Sequence, residues 1–171
     1  MFVNCDKGIR ILNSSNARHG HVFVGNLLVA DEWFRKPLLN VEQSEPLCGR
    51  LTDPQFSGLD GNVYVRRGDV ASRPLIMWSP VAGATCAVAL GSPGALHTLH
   101  ASVEVNSRSL DGYAGVLFKS PELDNYELVS PLPVASAEDP VPAEVRTIAG
   151  WDPDVARLPG AYPAGPVREP R

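Results

Sequence analysis

The amino-acid sequence predicts an all-β fold built as a parallel β-solenoid, and three observations carry that expectation. Short runs rich in β-branched and aromatic residues occupy 8–12, 21–24, 27–29, 37–41, 62–65 and 74–78, and none holds a helical period over a useful length. One unit recurs: Gly25-Asn26-Leu27-Leu28-Val29 followed by Pro37-Leu38-Leu39-Asn40-Val41 returns as Gly61-Asn62-Val63-Tyr64-Val65 followed by Pro74-Leu75-Ile76-Met77-Trp78. The 15 glycines and 16 prolines punctuate the 171 residues too densely for a helical bundle.

Taken in chain order, a weaker first unit, Val3-Asn4-Cys5 with Gly8-Ile9-Arg10-Ile11, stands ahead of the two clear ones. Asn26 precedes Leu38 by 12 residues and Asn62 precedes Leu75 by 13, so the internal spacing holds to within one residue. Asn26 and Asn62 are 36 apart, and the polar, turn-rich stretch 44–59 reads as an excursion that makes up the length. Asn tolerates the left-handed backbone better than other non-glycine residues, so a Gly-Asn pair turns the chain sharply before a strand. Where such units stack, successive Asn amides bond in a ladder. After Trp78, 79–91 reads as irregular or extended, and 92–100 as a short helix with Ser92 as N-cap and Pro93 in its first turn. The pieces 104–110 and 114–118 read as extended, and 142–149 as a helical turn or two. Ten prolines fall between Pro121 and Pro170, marking a coil tail. The expected divisions are terminal coils at 1–80, a closing segment at 81–130 and a Pro-rich tail at 131–171.

Composition excludes other classes. A formal charge of −4 argues against a nucleic-acid partner, since such proteins concentrate cationic charge. The 44% hydrophobic content is enough to build a core. No apolar run approaches the ~18 residues of a membrane span. The amino terminus lacks the pattern of a secretory signal, and strand-like alternation begins at Phe2, as if the chain entered a structure midway. Cys5, Cys48 and Cys86 match no zinc spacing. They read as buried thiols, with a Cys48–Cys86 disulfide as the alternative in an exported protein.

The segment Gly115-Val116-Leu117-Phe118-Lys119-Ser120-Pro121-Glu122-Leu123-Asp124-Asn125-Tyr126-Glu127-Leu128 resembles the carboxy-terminal signature of right-handed parallel β-helix proteins of the pectin-lyase-like superfamily. Asn106-Ser107-Arg108 is similar to the polar stretch that precedes that signature, and Gly160-Ala161-Tyr162-Pro163 to the ending that follows it. The resemblance extends over roughly residues 1–165. It implies the last few coils of a right-handed parallel β-helix, plus an irregular carboxy-terminal segment with one or two short helices. It further implies a polysaccharide or oligosaccharide partner, no cofactor, and an extracellular or periplasmic parent. The family's many coils and its amphipathic amino-terminal cap have no counterpart here. The chain therefore reads as the carboxy-terminal part of a glycoside hydrolase or polysaccharide lyase, inactive alone and expecting upstream coils. The alternative is a non-catalytic glycan-binding or cell-surface scaffold module.

Candidate chemistry follows from residue types. Glycoside hydrolysis needs two carboxylates about 5–10 Å apart, and Asp31, Glu32, Glu42 and Asp60 stand at strand ends, with Asp69 a neighbour of Asp31 or Glu42 if units stack. The ordinary alternative is a set of solvated corner residues. Arg66 and Arg67, with Arg73, suit uronate carboxylates because guanidinium pairs with them bidentately. Trp33, Phe34 and Tyr64 offer faces for sugar rings or side chains for the core, and the polar surroundings tilt Trp33-Phe34 outward. Asp31, Glu32, Trp33 and Arg35 form the leading sugar-facing cluster. His19 and His21 could share a strand face, and His97 and His100 a helix face, but no third ligand is marked, so no metal is expected.

Overall fold

The branched and aromatic runs do become strands. A computed structural model describes residues 2–4, 7–11, 20–50, 52–53, 55–68, 73–81 and 86–130, and within them the fold is all-β with two short α-helices. In order come β1 (Phe2–Val3), β2 (Lys7–Ile11), β3 (His21–Val24), β4 (Leu27–Ala30), β5 (Leu39–Gln43) and α1 (Glu45–Cys48). They are followed by β6 (Phe56–Asp60), β7 (Val63–Arg66), β8 (Ile76–Trp78), β9 (Val88–Leu90) and α2 (Pro93–Leu99). The last are β10 (Arg108–Asp111), β11 (Phe118–Ser120) and β12 (Asn125–Leu128). The chain returns to the same sheet after every third strand: β1, β4 and β7 pair in parallel, as do β2, β5 and β8, and β3 and β6. β10 ends the first sheet in parallel with β7, whereas β9 ends the second antiparallel to β8.

Side chains alternate between two apolar layers, which is why the runs are apolar throughout rather than every second residue. Leu28, Ala30 and Tyr64 turn into the main core with Phe23, Leu39, Val41, Leu59, Ile76 and Trp78. Leu27, Val29, Val63 and Val65 face the other way and are covered by Leu117 and Phe118 from the segment leading into the antiparallel hairpin β11–β12. Each such aliphatic side chain gains about 1.5–3 kcal/mol by leaving water, so the hairpin protects an amount comparable to a domain's net stability. Leu96 of α2 and Val103 close the end of the main core. Beside it runs an aromatic column, His21, Phe56, Trp78 and His100, with successive centroids 5.9, 5.6 and 5.5 Å apart.

The corner amides bond as the repeat suggested. Asn26 Nδ2 and its backbone N–H both donate to Asn62 Oδ1 (3.1 and 3.0 Å), and the Asn62 N–H donates to Ser107 Oγ (2.8 Å). The left-handed residues at these corners are Gly25 and Gly61, with φ of 62° and 64°, not the Asn beside them. Glycine meets the backbone demand and frees Asn to make the bonds. Asn4 does sit left-handed (φ 49°) and exchanges two hydrogen bonds with Asp31.

Other expectations change. The stretch 44–59 is no mere excursion: it holds α1 and β6. Ser57 and Gly58 at the centre of β6 have low strand propensity, which hid it from the sequence. β9 orders part of 79–91, and β10 begins at Arg108 rather than near Glu104. α2 forms as expected, with Ser92 Oγ accepting from the Ala95 N–H (3.1 Å). Cys48 and Cys86 are joined in a disulfide with Cα atoms 5.9 Å apart, so the free-thiol reading fails for that pair; Cys5 lies outside the described residues. So do 142–149 and the whole 131–171 division, including Tyr162.

Two stability effects are expected in urea unfolding. Asn62→Ala should cost about 2–4 kcal/mol, because it leaves buried donors and acceptors at the corner without partners. Reducing the disulfide, which closes a sequence separation of 38 residues, should cost about 4 kcal/mol by chain-entropy arguments. A variant or reduced protein with an unchanged midpoint would contradict the corresponding role.

Candidate functional site

The loop between β4 and β5 gathers the cluster singled out in the sequence. It is pinned at both ends of a tight turn: the Phe34 N–H donates to Asp31 O (3.0 Å), and the buried Phe34 ring anchors it in the main core. Trp33 then has nowhere to go but outward. It is 66% exposed and meets Phe34 edge to face, 6.0 Å between centroids. Glu32 and Arg35 are exposed beside it. Arg73 Nη1 donates to the Glu32 carbonyl (2.8 Å) and steadies the loop. Gly68 lies under Glu32 with φ +71°, a backbone that favours glycine, and a Cβ there would meet Glu32 Cγ at 2.8 Å unless that side chain moved.

The four carboxylates fall at three places: Asp31 and Glu32 on the β4–β5 loop, Glu42 on β5 and Asp60 at the end of β6. Asp31 is a corner residue: Asn4 Nδ2 donates to Oδ2 (2.7 Å), the Asp31 N–H donates to Asn4 Oδ1 (2.8 Å), and Arg67 Nη1 stands 3.5 Å from Oδ1. Asp60, at a different corner, accepts from the Asn106 N–H (2.7 Å) and Asn106 Nδ2 (2.8 Å). Glu42 accepts from Asn40 Nδ2 (3.0 Å), two residues away on β5. Glu32 alone shares the loop with Asp31. Asp69 and His19 lie outside the described residues.

Arg66 is corrected outright. It is 1% exposed, its Nη2 donating to the carbonyls of Lys36 (3.1 Å) and Pro74 (3.0 Å), where the chain enters β5 and β8. Burial pulls its pKa below the ordinary guanidinium value, with Asp111 pulling the other way. It ties two successive tiers together and cannot meet a polysaccharide. Tyr64 and Phe34 are likewise core residues, not sugar platforms.

One carboxyl escaped the sequence reading. Glu104, 2% exposed, accepts from Tyr64 Oη (2.6 Å) and Asn62 Nδ2 (3.4 Å), and burial pushes its pKa up to about 6. The piece 104–110 reads as extended, but the backbone is left-handed at Glu104 (φ 54°), with Glu104 buried and Val105 exposed. A carboxylic acid poised near 6 has the proton affinity of a general acid, but its burial keeps it from a polymer. Among the described residues no group of three or more His, Cys, Asp or Glu stands ready for a metal ion, and no helix is long and apolar enough to cross a membrane.

Comparison of the chain with protein-family models, with curated proteins and with solved structures found no match.

Removing the Arg66 side chain tests its tying role. Arg66→Ala leaves the Lys36 and Pro74 carbonyls, both partly buried, without a donor and should destabilise by about 3 kcal/mol in urea unfolding. An unchanged midpoint would contradict that role.

Proposed function

We propose that the chain forms terminal coils of a right-handed parallel β-helix of the pectin-lyase-like type and binds carbohydrate, without cleaving it, at the Trp33 loop. The return to one sheet after every third strand, the Asn26–Asn62–Ser107 corner and the hairpin over 117–128 support the fold. One observation carries the function: Trp33 is an indole held out in water on a loop whose backbone and neighbours are fixed from below. A rigid exposed aromatic loses little freedom when a sugar ring stacks on it, and Glu32 and Arg35 flank it as hydrogen-bonding groups for hydroxyls. Against catalysis within this chain, Asp31 and Asp60 are already hydrogen-bonded at their corners and Glu42 is bonded to Asn40 on β5. In this reading glycoside hydrolysis or uronate elimination belongs to coils upstream in a longer protein. The Cys48–Cys86 disulfide supports an oxidising, extracellular or periplasmic setting.

The test is retention on a panel of neutral and acidic polysaccharides by affinity electrophoresis. Wild-type protein should be retarded by at least one of them, releasing neither reducing ends nor unsaturated uronates. Trp33→Ala should lose about 2 kcal/mol of affinity, roughly 30-fold, with stability unchanged to about 0.5 kcal/mol. No retardation on any polymer, or equal retardation of the variant, would refute the proposal.

A further inference from the structure

We propose that Glu104 is a proton-operated latch: in its neutral form it holds the segment 100–107, and with it β10, onto the stack. The segment is strung across two tiers at this point. The Glu104 N–H donates to Leu59 O (2.8 Å), the Arg108 N–H donates to Asn62 O (2.9 Å), and Val103 enters the main core. The left-handed backbone drives the Glu104 side chain inward, where Oε1 receives Tyr64 and Asn62 while Oε2 has no well-formed partner.

Among the described residues no cation hydrogen-bonds or ion-pairs with the Glu104 carboxyl. The titratable and charged groups on the surrounding elements are Asp60 at the end of β6, Tyr64 and Arg66 on β7, His97 and His100 around α2, and Arg108 and Asp111 on β10. Of these, Tyr64 alone hydrogen-bonds the carboxyl. Arg66 Nη2 is committed to the Lys36 and Pro74 carbonyls, and Asp60, held by Asn106, adds a like charge. Burial accordingly raises the Glu104 pKa from 4.5 to about 6, Asp60 adds to the rise, and hydrogen bonds from Ser107, Tyr64 and Asn62 pull it back in part.

The sign follows from proton linkage. Below 4.5 the carboxyl is neutral whether the segment is closed or open, and closure has its full strength. As pH rises through about 6 the closed form must take up a buried charge, the proton leaves to solvent, and opening becomes roughly 30-fold easier. His100 works the other way: burial lowers its pKa from 6.5, so its contribution is lost as pH falls. It is common to wild type and a Glu104 variant, and their difference isolates Glu104.

Amide hydrogen exchange on the full chain tests the latch, with rates corrected for intrinsic pH dependence. Protection at the Glu104 and Arg108 amides in wild type, relative to Glu104→Gln, should fall roughly 30-fold between about pH 4 and 8. Tyr64→Phe, which removes a bond favouring the charged form, should move the inflection above 6. Parallel pH profiles for wild type and Glu104→Gln would overturn the proposal. Should that variant not fold, the ¹³C shift of the Glu104 carboxyl in wild type decides: a midpoint near 6 supports the latch, and one near 4.5 overturns it.

Discussion

A strand that pairs with the strand three places later leaves its sheet at a corner, and there the backbone polar groups have no ladder to join. Side chains must supply the missing partners. At one corner Asn26, Asn62 and Ser107 do so across three tiers; at another, Asn4 and Asp31 exchange two bonds. With the corners fixed, the in-register stacks inside follow: Leu28 on Tyr64, Ala30 on Arg66, Leu39 on Ile76. Loss of a corner therefore costs more than its own hydrogen bonds, because it loosens the register of a whole tier against the next.

The same stacks change character along their length. Leu28, Tyr64 and Ser109 occupy one column, and Ala30, Arg66 and Asp111 another. Each begins apolar and ends polar. Among the described residues β10 has no further strand over it in its sheet, and its Asp111 is exposed and Ser109 half-buried. Tyr64, Arg66 and Glu104 form the transition, buried yet polar, and Arg66 Nε and Nη1 have no hydrogen-bond partner there. The cost appears as incompletely satisfied groups at the Arg66 position of β7.

The sequence carried the repeat well, because Gly-Asn before a strand is a physical requirement of the corner and leaves a mark at fixed spacing. Ser92 capped its helix for an equally local reason. What stayed hidden was whatever depends on the neighbouring tier. β6 is a strand because β3 offers it a partner, despite Ser57 and Gly58. Ser107 stands where the earlier units have Asn, so the third rung of the corner was not visible as a repeat. Arg66 sits beside Arg67 in sequence, yet one is interior and the other is a surface corner residue paired with Asp31. Strand alternation separates the two, but it does not say that a guanidinium rather than an apolar group fills the inward place.

The candidate site shows why residue type alone misleads about chemistry in such a fold. Corners select Asp and Asn for the geometry of their short polar side chains, the same groups that acid–base catalysis and sugar binding use. The discriminating quantity is how many donors each oxygen already has. Asp31 and Asp60 each have both oxygens engaged from neighbouring tiers, so protonating either would cost those bonds along with the charge. A residue held in that way keeps the stack in register and is poorly placed to exchange protons with a substrate. Trp33 presents the reverse case. Phe34 already anchors the loop in the core, so the adjacent indole is released from packing and stands in water. Side chains that the stack does not need are the ones left free to recognise something else, and on this loop that distinction separates Trp33 from Asp31.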